Sequence, residues 1–492
     1  MFLGDIEVFR TSTAEPTTNG IIYTYIKEMS QYIVLWKQPQ KVIFDLGNLI
    51  DDTYTGIFNV TLTVSFSKEG NARMADMILP ISARQSSRNA SSAFLVPPDN
   101  AAIALIIPSA ASRAMVSISA CGQLEEEFWW SNVLSQDTTT FQNTVGELYG
   151  SSPFREIQLF IDDTLAGVIW PFPIIFTGGV APGFWRPMVG IDAFDLREPE
   201  IDISPFLPLL TDGLAHFFQI KIAALDTISS RVTLAYSLGS FWVVTGKIFL
   251  YLDENHACSL NKPPKVIAPQ PTLTITRAIV QSPRTGANES LSYSVEVERF
   301  LNITSSYYSW CQNLTFSNHG LLNKYGFSQR NAQHTLGELS ASRIGPDERS
   351  VQNITTFKYP LDVNTTYSVS SSNHGFAISA LINRGLEIYS SGALGISTYT
   401  LTYGNSDLQA KQWGKAYYSS ITGEGSYSSG DTSEVFEETS RGSTYKRYVK
   451  AVNGTVIKDT KYGERLNRSL HLGWHSSPSR ASVKSILGRG PR

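Results

Sequence analysis

At 492 residues the chain has room for about two to four domains. Its 42% hydrophobic content supports real cores, while 17% charged residues beside 22 Tyr, 25 Phe and 9 Trp argue for a β-rich, extracellular type of protein rather than a cytosolic helical one. The net charge of −3 is uneven: residues 441–492 carry 12 Lys/Arg against 2 Asp/Glu, but without the packed basic blocks of a nucleic-acid arm.

The chain opens on an alternating strand, with Ile6 and Val8 apolar and Asp5 and Glu7 charged. Ile21–Tyr25, Lys41–Leu46 and Phe58–Phe66 (FNVTLTVSF) are predicted strands, and 28–36 is a short helix or a strand. Residues 68–93 are a polar loop with a short strand near Met77. Ala101–Ile107 and Arg113–Ala120 complete a first block. After Cys121–Val133 come strands at Phe154–Asp162, Gly167–Phe176, Glu200–Ile203, His216–Ala224 and Phe241–Asp253. The run NKPPKVIAPQP at 261–271 is a linker signal, followed by a Ser/Thr/Tyr-rich β-domain over 272–470 and a basic tail at 471–492. A faint echo links residues 4–48 with 162–210 and suggests two copies of one β-unit.

Gly167–Pro187 (GVIWPFPIIFTGGVAPGFWRP) is too apolar for a surface loop and too rich in Pro and Gly for a helix. Two readings stand: a buried strand and corner, or a groove wall whose Trp faces stack on sugar rings and whose Arg186 holds a polar group. Carboxylates recur beside such residues. Glu125, Glu126 and Glu127 run into Phe128, Trp129 and Trp130, and in a strand Glu127 would share a face with Trp129. Asp5, Glu7 and Glu15 flank Arg10, and Asp192 and Asp195 follow Trp185-Arg186. Carboxyls beside aromatic rings are partly desolvated, which suits proton transfer.

The seven His have no metal-binding spacing, and no G-x-S-x-G elbow or phosphate-binding glycine motif occurs. No metal or cofactor is expected. Three cysteines allow one disulfide and a free thiol, with Cys258–Cys311 the preferred pair. Nine N-x-[S/T] sequons, at Asn59, Asn89, Asn288, Asn302, Asn313, Asn353, Asn364, Asn453 and Asn467, exceed the about four or five that chance would give. They point to the secretory route, although residues 1–20 contain no signal peptide and no run has the length of a membrane helix.

LGDIEVFRTSTAEPT (3–17), EEFWWSNV (126–133), SPFREIQLFID (152–162), residues 166–213 and the closing LGRGP (487–491) resemble the peptide:N-glycanase A family of fungi and plants. The resemblance implies a secreted or vacuolar glycoprotein enzyme, active at acidic pH and without a metal. Such an enzyme hydrolyses the amide joining Asn to the first GlcNAc of N-glycosylated peptides or proteins; nucleic acid and membrane are not expected partners. The implied fold is all-β: two adjacent antiparallel jelly-roll sandwiches (1–120 and 121–260), with the site between them, and a C-terminal β-rich domain. Glu126, Glu127, Asp5 and Glu7 become the candidate acids. Arg10 and Arg186 would hold the amide or peptide, Trp129, Trp170 and Trp185 would stack on the core sugars, and Asp192 and Asp195 would line the groove. The resemblance also implies that this chain is N-terminally truncated, with a bare sheet edge. A non-catalytic glycan-binding protein and a glycosidase are the rival readings.

Overall fold

The computed structural model describes residues 1–14, 20–47, 50–52, 55–66, 73–227, 232–253, 262–344, 350–370, 375–392, 406–421, 425–440 and 442–463. The fold is all-β. A small sheet joins β1 (Phe2–Leu3), β2 (Ile6–Glu7) and β3 (Val42–Ile43). A five-stranded sheet contains β4 (Met77–Ile81), β5 (Phe94–Val96), β7 (Ala111–Gly122), β10 (Glu200–Asp202) and β13 (Trp242–Leu252). A second contains β6 (Ala101–Leu105), β8 (Glu156–Ile161), β9 (Thr164–Ile169), β11 (His216–Asp226) and β12 (Thr233–Ala235).

The two five-stranded sheets share one core. Val116, Ile118, Val244 and Ile248 of one meet Ile157, Leu159, Phe218 and Ile220 of the other. The expected division at residue 120 is therefore not found. β7 pairs with β13 along its whole length, and β6 pairs with β11, so strands from 1–120 and 121–260 interleave. The internal echo does not mark two separate units, because each half supplies strands to both sheets.

Several local expectations also change. Ile21–Tyr25 forms no strand, and Lys41–Leu46 shrinks to β3. Residues 55–66 belong to no strand and their side chains are exposed, Ile57 at 80% and Phe66 at 68%. Alternation alone cannot make a strand without a neighbour to take its N–H and C=O groups. Residues 30–37 form a 3₁₀ helix. Among the described residues no helix is long and apolar enough to cross a membrane.

The C-terminal part is a single antiparallel meander of long strands. It contains β14 (Lys265–Ile267), β15 (Thr272–Gln281), β16 (Asn288–Thr304), β17 (Tyr308–Asn323), β18 (Ser328–Ile344), β19 (Ser350–Ser370), β20 (Gly375–Gly392), β21 (Ser406–Ile421), β22 (Gly425–Ser440), β23 (Ser443–Val452) and β24 (Thr455–Tyr462). The linker expected at 261–271 is thus anchored, since Val266 pairs with Ile303; residue 261 lies outside the described residues, as does the tail from 464. Along β16, Leu291, Tyr293, Val295 and Val297 are buried, giving the period of two expected for one packed face.

That face is not purely apolar. Long amide and guanidinium side chains reach across to backbone groups of the sandwich loops. Gln333 donates to Trp130 O at 2.6 Å, Gln412 to Val189 O at 2.7 Å and Arg384 to Pro173 O at 2.7 Å. Thr432 Oγ1 donates to Phe184 O at 2.8 Å. On the outer side of edge strand β9, Gln312 accepts from Val168 N at 2.9 Å and donates to Val168 O at 2.8 Å. One side chain thereby replaces a neighbouring strand. Gln312→Leu should destabilise the protein by about 1–3 kcal/mol for each orphaned buried group, measured as a lowered urea midpoint.

Candidate functional site

The alternation of β7 and β13 gives the first sheet two unlike faces. Val116, Ile118, Val244 and Ile248 point into the core. Ser117, Ser119 and Cys121 stand opposite Lys247, Thr245 and Val243 on the other side. The N-terminal segment covers that side and brings its charges into it. Glu7, 4% exposed, accepts both arms of Arg10 at 2.7 Å and the Thr245 hydroxyl at 2.5 Å. Arg10 Nη1 donates to Val243 O at 2.7 Å. Lys247 donates to Glu7 O at 2.6 Å and pairs with Glu198 at 2.8 Å, and Glu198 also accepts from Ser117 and Tyr32. Two carboxylates and two cations balance one another. Burial would raise the Glu7 pKa, but Arg10, Lys247 and Thr245 outweigh it and hold the carboxyl below its ordinary value.

The EEEFWW run does not form the expected strand. Leu124, at φ 55°, turns the chain into a 3₁₀ turn at Leu124–Glu126, and Trp129–Ser131 forms another. Gly122 allows this, because a Cβ there would collide with the Glu126 carbonyl. The two neighbouring carboxyls thereby receive opposite environments. Glu126 is fully buried. It accepts from Arg155 Nε at 2.6 Å and Nη2 at 2.8 Å, from Trp242 Nε1 at 2.9 Å and from Gly239 N at 3.1 Å. Burial opposes ionisation, yet Arg155 and these donors depress its pKa. Arg155 Nη1 also donates to the carbonyls of Ser151, Ser152 and Phe154.

Glu127 is half-buried and its carboxyl has no hydrogen bond among the described residues. Burial alone pushes its pKa up. Its surroundings come from three segments. The Cys121 thiol lies within electrostatic reach of both Glu127 and Arg10, and burial pushes that thiol up to about 11, too high for a nucleophile. The adjoining Phe128 ring packs on Gly179, where a Cβ would stand 2.8 Å from it. Ser12 lies beside the same turn, with its hydroxyl 3.2 Å from that of Thr177. Cys121 thus senses both Glu127 and Arg10, while Phe128 and Ser12 both touch the 176–180 turn.

The other expected site residues fall elsewhere. Asp5 is partly exposed, and bonds from Ser86 N and Ser92 Oγ outweigh the cost of burial and lower its pKa; it ties down a loop. Trp129, Trp170 and Trp185 are 6%, 4% and 1% exposed, so their rings are packing surfaces and not open sugar platforms. Trp170 Nε1 donates to Glu156, Trp185 Nε1 to Gly179 O, and Trp129 lies 6.4 Å from Trp242. Arg186 is exposed. Asp192 accepts from Arg197 at 3.0 Å. Asp195 accepts from Lys27 and Tyr25; its burial outweighs both and raises its pKa. Glu15 and Cys258 lie outside the described residues, and with Cys258 so does the expected Cys258–Cys311 pair.

Arg155, Glu198 and Lys247 were missed by sequence reasoning. Lys247 had a signal: a lone lysine within VVTGKIFLYL must find a partner, since a buried unpaired ammonium is costly.

The profile of the family described as peptide N-acetyl-beta-D-glucosaminyl asparaginase amidase A matches residues 1–264. That match covers more than half of the chain. The chain belongs to this family. Residues 292–361 match the C-terminal domain of the same family, within the large sheet. A peptide-N4-(N-acetyl-beta-glucosaminyl)asparagine amidase A of Prunus dulcis is 35% identical over 272 residues, covering 52% of this chain. The chain spans 45% of the length of that relative. No solved structure matches it significantly. Within this amidase family member, the sandwich carrying Glu127 falls in the first matched region and the sheet clamping its loops includes the second.

Proposed function

We propose that this protein releases N-linked glycans from glycopeptides by hydrolysing the amide between Asn and the first GlcNAc. The observation that carries the reading is the Glu127 carboxyl, half-buried and without a hydrogen bond among the described residues, next in the chain to a Glu126 that is fully paired. Water adds to the amide carbonyl carbon and the C–N bond breaks. Glu127 gives its proton to the departing nitrogen, and the proton released by the added water restores it. Asn becomes Asp, and the glycan leaves as a glycosylamine. Glu126 and Glu7 act as locks for their segments and not as acids, since guanidinium groups occupy their oxygens. A glycosidase would need a second available carboxyl flanking the bond, which these pairings disfavour.

A general acid works while protonated. The raised pKa of Glu127 extends that state to higher pH than an ordinary glutamate would allow. Activity should therefore be high at acidic pH and fall as pH rises through the Glu127 value. A pH profile of kcat/KM checks this, and a flat alkaline side would count against Glu127 as the acid.

Location in a secretory or vacuolar compartment agrees with the sequons. Eight of the nine sequon asparagines are described and none is buried, whereas Asn132, Asn318 and Asn331, which lack the motif, are. Peptide mass mapping of protein purified from its natural source tests this. Glycan on exposed Asn313 is expected, and bare asparagines throughout would refute the location.

A further inference from the structure

The inner face of the C-terminal sheet holds a polar row that the proposed chemistry does not use. Arg384 on β20, Gln412 on β21 and Glu434 on β22 stand directly opposite one another in register. Arg384 and Gln412 meet the loop that begins with Trp170, and Glu434 reaches it through Gln412. Arg384 is 2% exposed; its Nη2 donates to Pro173 O and its guanidinium lies 4.8 Å from the Phe172 ring centre. Gln412 Nε2 donates both to Val189 O at 2.7 Å and to Glu434 Oε2 at 2.9 Å. Apolar contacts complete the seam, with Phe172 and Ile191 packed on Tyr359, Leu386 and Ala410. Yet polar atoms remain unmatched: Gln412 Oε1, Arg384 Nε and Arg384 Nη1 are buried without a partner.

We propose that Glu434, Gln412 and Arg384 form a proton-operated clamp that grips the Pro173–Val189 loop when Glu434 is protonated and slackens when it ionises. A neutral carboxylic acid and a primary amide can close a two-bond ring. The amide Nε2–H donates to the acid's carbonyl oxygen, and the acid's O–H donates to the amide oxygen. The second Nε2–H stays on Val189 O. Protonation of Glu434 therefore supplies the donor that Gln412 Oε1 lacks, and it fixes the amide that holds the loop. Ionisation removes that donor and leaves a carboxylate half-buried in the seam.

The charges that face Glu434 are few. Arg384 and Arg447 favour its ionised form, the latter shared with Asp459 on β24, and Asp192 opposes it while paired with Arg197. Burial dominates and raises the Glu434 pKa to about 7. Since that value lies above the ordinary one for glutamate, the clamp is at full strength below the ordinary value and is lost as pH rises through about 7. The bearing of the clamp on catalysis rests on the site reading given above, because the same loop carries Gly179, on which Phe128 packs beside Glu127. The clamp itself does not depend on that reading.

Hydrogen exchange of the 173–191 amides, corrected for intrinsic rates and compared at about pH 5 and about pH 8, tests it without substrate. In the wild type, protection should fall at least several-fold at the higher pH. Glu434→Gln keeps a neutral group with a donor and an acceptor, so its protection should be high and equal at both values. The proposal is overturned if wild-type protection does not change with pH, or if Glu434→Gln keeps the wild-type loss. Gln412→Leu serves if that variant does not fold. It should exchange fast at both values, and a retained pH dependence there also overturns the clamp.

Discussion

Glu127→Gln should lower kcat for glycan release by about 10²–10⁴-fold, with the protein still folded. The reason lies in the contrast between two adjacent carboxyls. Glu126 is fixed in the ionised state by Arg155, Trp242 and Gly239 and has no proton to give. Among the described residues Glu127 has no such donors, and burial favours its neutral form. Amidation of Glu127 breaks no internal hydrogen bond, so thermal stability should stay near the wild-type value and the loss should fall on kcat rather than KM. The alkaline limb of the pH profile should vanish with it. If Glu127→Gln retains wild-type kcat, the acid lies elsewhere.

Arg155→Met should destabilise the protein by about 3–5 kcal/mol, because it strands a buried carboxylate. The substitution keeps much of the side-chain volume but removes two bonds to Glu126 and three to the carbonyls of Ser151, Ser152 and Phe154. Against a usual domain stability of about 5–15 kcal/mol this is a large fraction. Urea unfolding followed by tryptophan fluorescence measures it. A midpoint close to wild type would mean that the 122–131 turn is held without this pair. Double replacement with Glu126→Leu should recover part of the loss, since two apolar groups leave no charge stranded.

These two effects separate what the sequence displays from what it conceals. Alternation marks β11 and β16, and burial of the alternate residues follows it there, whereas β7 and β13 are buried on both faces. The partners of those strands are not visible, because β7 and β13 lie about 130 positions apart and pairing across such a distance leaves no local trace. The EEEFWW run lists the right acids, but a period-two reading puts Glu127 beside Trp129. One residue in the left-handed region, Leu124, replaces the strand with turns and sorts Glu126 from Glu127.

The tryptophans teach a related lesson. Trp170 and Trp185 look like open faces in GVIWPFPIIFTGGVAPGFWRP. Their N–H groups instead find Glu156 and the Gly179 carbonyl, and the rings sink into the core. Of the two readings of this stretch, the burial of both rings fits the buried strand and corner and not the groove wall with stacking faces. Its carbonyls are gripped by Arg384 and Gln412, more than 200 residues further along the chain. Only the folded C-terminal sheet brings those side chains to it.

The most direct test of the account is to identify the bond that is cut. A glycopeptide with one N-glycan is incubated with the full chain in heavy-oxygen water at acidic pH, and the peptide is analysed by mass spectrometry. The glycan should be gone whole, and the former Asn should be an Asp carrying one solvent oxygen. A peptide that keeps its Asn with a GlcNAc attached, or that returns unchanged, would contradict it.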